Sequence, residues 1–262
     1  MSNVRKTVLI TGASQGIGYE LSRLFARDGY TLVLVARHTE KLQDAAQQLE
    51  KEFHVPVCTI VKDLAQPNSA KEIYKELQQA QIKVNVLVNN AGFGLHGAFS
   101  ENSLEEYLKM IQVYLTAIVQ LTHIFLGDML KENNGKILQI GSIAAFKPGP
   151  FGAVYYAAKS FLLSFSEALN VELKKTGVSV SILCPGPVKT AFQERARMKI
   201  TPVIKANFLD ASTVARIGYQ GLMRKQMIII PGIKNRMMAL LFRYLPRDWS
   251  LQLVLKVQNR FR

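Results

Sequence analysis

Residues 6–10, KTVLI, form a short apolar run that passes straight into Thr11-Gly12-Ala13-Ser14-Gln15-Gly16-Ile17-Gly18, and a helical pattern continues from Ile17 to about Arg27. A strand, a glycine turn and a helix start in that order leave the chain few folds. The glycines allow a tight turn and a close backbone approach to a pyrophosphate, held where unpaired amide N–H groups and the helix dipole favour negative charge. Gly12, Ser14, Gln15, Gly16, Ile17 and Gly18 are therefore candidate dinucleotide-binding positions. The motif draws its weight from its place after the first strand of an alternating chain.

That alternation continues. Strand-like runs recur at residues 31–36, 55–61, 84–90, 135–141, 178–184 and 226–232, with helical patterns between them. The expected fold class is α/β: a doubly wound parallel sheet of about seven strands with helices on both faces, and a ligand at the carboxyl ends of the strands where the winding reverses. With 262 residues, 48% of them hydrophobic, and no Pro/Ser-rich linker or repeat, a single domain over 1–262 is expected. Cys58 and Cys184 sit in strand patterns without a CxxC, and the first strand begins almost at Met1, which suggests reduced, buried thiols and a cytoplasmic protein. No window approaches eighteen uninterrupted apolar residues, so no spanning helix is expected. His38, His54, His96 and His123 are scattered, which gives no metal site.

A second constellation lies near residue 150. Tyr155 and Lys159 stand four apart in VYYAAKSF, on one helical face, and Ser142 precedes the tyrosine by thirteen. An ammonium beside the phenol would stabilise the phenolate; bringing a tyrosine from ~10 to neutral pH takes about 4 kcal/mol, comparable to one charge at ~4 Å in an effective dielectric of ~20. The triplet therefore reads as an acid-base centre. Tyr156 competes with Tyr155 but has Ser160 four residues on. At Arg37, nineteen residues past Gly18, the chain has no carboxylate for a ribose 2′-hydroxyl. A guanidinium fork suits a phosphate, so NADP is the expected cofactor.

Together TGASQGIG, NNAG at 89–92, Ser142, Tyr155-x-x-x-Lys159 and PGPVKT at 185–190 resemble the short-chain dehydrogenase/reductase family, in its order and spacing, over residues 6 to about 190. The resemblance implies the nicotinamide-binding Rossmann fold and hydride transfer from NADPH to a carbonyl, with Tyr155 protonating the oxygen and Ser142 hydrogen-bonding it. It gives Lys159 a second contact, to the nicotinamide ribose. It further implies that Asp63 and Leu64 flank the adenine, that Asn90, Ala91 and Gly92 bring backbone against the cofactor, and that Pro185 and Gly186 bend the chain under the nicotinamide. Val188 and Thr190 then hold its carboxamide and the pyrophosphate.

One position departs from the family. An asparagine usually stands 28 residues before the serine and supports a proton-relaying water; here Tyr114 stands there, and no asparagine occurs from 103 to 132. Tyr114 either offers a hydroxyl in its place, displaces the water, or marks an impaired member. Residues 191–210 cover the substrate cleft in the family, and here Phe192, Met198, Ile200, Val203, Ile204 and Phe208 mix with Arg195, Arg197, Lys199 and Lys205. Gly94 to Phe99 is expected on the opposite wall.

Charge is uneven. Residues 1–190 hold 19 Lys/Arg against 16 Asp/Glu, and residues 191–262 hold 14 against 3. The segment 191–262 is thus read as lid and basic C-terminal extension. Within it Trp249, Leu253, Val257 and Phe261 share a helical face beside Arg247, Lys256, Arg260 and Arg262, as in a helix at an anionic membrane surface or one docked on the domain or a second subunit. The apolar helix 153–175 and the preceding one, about 104–130, form a subunit interface in the family, so a homodimer or homotetramer is expected. Three readings stand: an NADPH-dependent reductase of a small-molecule carbonyl, apolar and with room for an anionic group; an NADP-binding regulatory protein of impaired catalysis; and a membrane-surface or nucleic-acid binder using the basic tail. No motif interleaves aromatics with that charge, and nucleic acid is not expected.

Overall fold

A computed structural model describes residues 5–190, 192–196 and 208–259, with backbone alone for 193, 194, 247, 253 and 256–259. Seven strands form one parallel sheet: β1 (Thr7–Thr11), β2 (Thr31–Ala36), β3 (Val57–Val61), β4 (Val86–Asn89), β5 (Gly135–Ile140), β6 (Val178–Leu183) and β9 (Ile228–Ile229). Their order is β3-β2-β1-β4-β5-β6-β9, and a separate two-stranded ladder joins β7 (Val188–Lys189) to β8 (Leu209–Asp210). The winding therefore reverses between β1 and β4, paired in register as Ile10↔Val88. A crevice opens at the carboxyl ends of two such strands because their connections leave toward opposite faces.

Every residue of β1 is buried, as a parallel strand covered on both faces requires. Alternation then sorts its side chains between two cores. Val8 and Ile10 meet α1 (Gly16–Arg27) and α2 (Thr39–Phe53) through Leu21, Phe25, Leu42 and Leu49. Leu9 faces the other way, toward Ile73 and Leu77 of α3 (Ser69–Gln79) and toward Leu121 and Phe125. The last two belong to a long helix in three parts: α4 (Leu104–Ile111), a π turn at Gln112–Thr116, and α5 (Ala117–Lys131).

By length and composition Leu104–Lys131 could cross a membrane, with mean hydropathy 1.5, contrary to the expectation that the chain holds no such helix. Its contacts make it a core helix: Met110, Val113, Tyr114, Ala117, Leu121, Phe125 and Met129 are buried in the domain. The remaining helices are α6 (Ala153–Glu172), α7 (Phe192–Arg195), α8 (Ala211–Met223), α9 (Ile233–Tyr244) and α10 (Arg247–Asn259). The run 226–232 yields only two strand residues, paired as Ile182↔Ile228 and Leu183↔Ile229; Pro231, which has no N–H to donate, follows. Cys184 is buried as expected, whereas Cys58 is half-exposed.

Candidate active site

The switch point is held together by side chains that the motifs contribute. Asn90 and Ala91 donate their backbone N–H groups to Thr11 Oγ1 at 2.9 and 3.0 Å, and Asn90 Nδ2 donates to the carbonyls of Thr11 and Gly12 at 2.9 and 3.1 Å. The asparagine amide is thus a clamp between two loops. Gly12 (φ +66°) and Gly16 (φ +61°) adopt left-handed backbone that an L side chain resists. A Cβ on Gly12 would lie 2.9 Å from Ala91 Cα, and one on Gly18 would collide with the Gly12 carbonyl oxygen. These two glycines make room for neighbouring protein backbone, a different reason from the expected approach to a ligand. Gly18 is not among the residues that line the cleft, its hydrogen atom instead facing the Gly12 carbonyl and the Asn90 amide.

The cleft is a cavity of about 1140 Å³. It is lined by Gly12, Ser14, Gln15, Gly16, Ile17 and Arg37, and by Asp63 and Leu64 from the segment after β3. Asn90, Ala91, Gly92, Pro185, Gly186, Val188 and Thr190 line it too, with Thr190 against Gly16. Ser142, Tyr155, Lys159 and Tyr114 border it as well. Arg37 is exposed at the carboxyl end of β2, where its Nε donates to His38 Nε2 at 3.2 Å. The glycine turn and the Arg37 cation thus border one cleft.

Ser142 leaves β5 in extended backbone and caps the turn Ile143–Phe146, its Oγ accepting from Ala144 N at 3.1 Å. The hydroxyl proton remains for Tyr155, whose phenol burial pushes above its ordinary value against the opposing hydrogen bond from Ser142. Burial likewise pulls Lys159 down, to about 7. Here the structure differs from the expectation that the lysine lowers the tyrosine. Lys159 Nζ donates to the Ile140 carbonyl at 2.7 Å and lies 4.2 Å from the Tyr114 ring centre, but 5.8 Å from that of Tyr155. Its charge is directed to a carbonyl and a π face, so desolvation dominates the phenol. Tyr155 is consequently proton-loaded near neutrality.

Tyr114 is almost fully buried, at 2% exposure, on the π turn. Its hydroxyl donates to the Phe93 carbonyl at 2.8 Å, and its ring meets that of Tyr155 edge-on at 5.9 Å. Its proton is committed to Phe93, and its ring lies against the Lys159 ammonium.

The substrate side is only partly as expected. Phe192 covers Tyr155, with ring centres 5.7 Å apart, and Phe208 lines the cavity. Arg197, Met198, Lys199, Ile200, Val203, Ile204 and Lys205 lie outside the described residues. Gly94, Leu95 and His96 line the cavity, Gly94 against Phe192 and Ala196, but Phe99 turns outward and stacks on Tyr107. Sequence reasoning missed Lys147, Tyr156 and the α9 residues Lys234, Asn235 and Met238, all of which line the cavity. For Lys147 a signal existed: it is the one charge in the apolar, Gly/Pro-rich stretch between Ser142 and Tyr155.

A doubly wound sheet with a glycine turn at its switch point and a Ser, Tyr and Lys acid-base group beside it defines a dinucleotide-binding protein built for proton transfer. Residues 6–201 match the family described as short chain dehydrogenase, and the chain belongs to the short-chain dehydrogenase/reductase family of oxidoreductases. It is 33% identical over 183 residues to ketoacyl reductase HetN of Nostoc, a match spanning 70% of this chain and 63% of that protein. Over 263 residues it is 30% identical to mouse 17-beta-hydroxysteroid dehydrogenase type 3, covering 96% of this chain and 85% of the relative. Among solved structures, a short-chain dehydrogenase from Sphingobium yanoikuyae in complex with NADPH superposes with TM-score 0.82 at 30% identity, over 96% of this chain and 95% of the other.

Proposed function

We propose that the protein is an NADPH-dependent reductase that converts a ketone or aldehyde to an alcohol on an apolar substrate. The observation that carries this reading is the convergence of Ser142 and a protonated Tyr155 on the same cavity that Gly12 and Arg37 line. The similar Sphingobium protein was solved with NADPH, which supports the choice of coenzyme. Arg37 would bind the 2′-phosphate, the Ser14 to Ile17 turn the pyrophosphate, and Asp63 and Leu64 the adenine. Asn90 to Gly92, Pro185, Gly186, Val188 and Thr190 would form the nicotinamide end, with Lys159 toward the ribose. Bound NADPH supplies the hydride. Tyr155 gives its proton to the developing alkoxide, and Ser142, which hydrogen-bonds the phenol, orients the oxygen.

The test is NADPH absorbance against a panel of ketones, aldehydes, quinones, steroids and 3-oxoacyl thioesters. Tyr155→Phe is expected to abolish turnover, a loss of at least roughly 10²-fold for removal of a general acid, while NADPH still binds. Retained turnover would remove Tyr155 from this role. The regulatory reading, which Tyr114 keeps open, predicts tight NADPH binding with negligible turnover of every compound by the wild type.

Two associations belong to the same proposal for a cytoplasmic protein. Leu104, Leu108 and Ile111 of α4 and Phe161 of the adjoining α6 are exposed apolar side chains, which supports a homo-oligomer built on these helices; a monomeric mass by light scattering would set that aside. On α9, Ile233 (75% exposed), Met237, Leu240, Leu241 and Tyr244 (76%) face outward, with the exposed Arg236 and Arg243 among them. This supports peripheral contact with an anionic membrane through residues 234–262.

A further inference from the structure

Lys147 ends the turn that Ser142 begins, and α9 packs on that turn. Its side chain lines the cavity with its ammonium 4.8 Å from the centre of the Phe242 ring. Among the described residues no carboxylate pairs with it, and burial, with no opposing charge, lowers its pKa. Lys147 is half-buried, and a cation partly removed from water without a carboxylate partner is destabilised, a ring face compensating only in part. Folds retain such groups mainly where a ligand completes them.

The surroundings say what that ligand is. Arg195 of α7 and Lys234 of α9 line the same cavity, whereas its acidic lining residues are Asp63, after β3, and Glu106, which accepts a hydrogen bond from Lys109 at 3.4 Å. Leu95, Tyr156, Phe192 and Met238 add apolar wall. A neutral hydrocarbon would fill these walls and leave the ammonium unpaired. A carboxylate would pair with the Lys147 ammonium through charge-assisted hydrogen bonds. We propose that Lys147 is an anion-binding subsite for the substrate, which is an apolar carbonyl compound carrying a carboxylate, its carbonyl toward Ser142 and Tyr155 and its carboxylate on Lys147. The carbonyl end of this inference rests on the reductase reading; the anion end does not.

The experiment is calorimetric titration of 4-oxo-4-phenylbutanoate and of its methyl ester into the protein saturated with NADP⁺, where no reduction can occur. Wild type is expected to bind the carboxylate at least about tenfold more tightly, the worth of a charge-assisted contact. Lys147→Met is expected to bring the ratio to about one, and Lys147→Arg to keep most of the preference. Equal affinities in wild type, no binding of the carboxylate, or a preference that survives Lys147→Met would each overturn the proposal. Should the methionine variant not fold, Lys147→Gln takes its place in the same comparison. NADPH oxidation with the same two ketones is read separately: a Lys147-dependent preference without any reduction would leave the anion subsite standing and remove the reductase reading.

Discussion

At the scale of single residues, the site turns on how burial outweighs proximity. The i, i+4 spacing puts Tyr155 and Lys159 on one helical face, yet it does not decide where the ammonium points. That depends on Ile140 of β5 and Tyr114 of the π turn, remote in sequence, which hold Nζ at 2.7 Å and 4.2 Å. With its hydroxyl engaged by Phe93, Tyr114 is expected to act through its ring, as a positioning residue. Tyr114→Phe keeps the ring and gives up one hydrogen bond worth about 1 kcal/mol. Its turnover is expected within about threefold of wild type, since so small a loss falls mainly on stability and not on the transition state. A collapse of the rate with normal NADPH affinity would return the relay role to the hydroxyl.

At the scale of elements, β1, β2 and α1 follow their sequence patterns closely because the patterns themselves demand burial on fixed faces. The joint between β4, β5 and α5 does not show in any pattern. Thr122 Oγ1 accepts from Asn89 Nδ2 at 3.2 Å and from Gln139 Nε2 at 3.1 Å, in a place where all three side chains are buried. A threonine in a long apolar helix reads as filler until the sheet is laid against it. Thr122→Val leaves two buried amides without that acceptor and is expected to lower stability by ~2 kcal/mol, roughly 4–8 °C in Tm for a chain of this size. An unchanged melting curve would show that these amides find other partners. The C-terminal helix was the least legible element. Its expected apolar face begins at Trp249, which the structure leaves 67% exposed, while Ser250 and Val254 are the buried positions among the described side chains. The side chains of Leu253 and Val257, and all of Phe261, fall outside the described residues. A short helix with apolar residues all round carries no periodicity to choose between faces.

At the scale of the whole molecule, the outward α9 face and the basic excess of residues 191–262 lie on the same part of the chain. The protein is expected to float with vesicles containing an anionic phospholipid, to release as salt is raised, and to lose flotation in Met237→Asp. Protein left at the bottom of the gradient, with a dimeric mass by light scattering, would assign the face to a second copy. The sequence by itself determined the parallel α/β class, the glycine turn and the Ser142, Tyr155 and Lys159 triplet, because apolar period, glycine spacing and helical repeat are local constraints that any fold of this chain must obey. Only the tertiary structure decided that Gly18 serves backbone packing, that the Tyr114 ring lies against Lys159, and that Lys147 lines the substrate cavity without a carboxylate partner among the described residues. Each of those depends on which remote groups arrive opposite a residue and how far they exclude water, and neither quantity is encoded at the residue's own position.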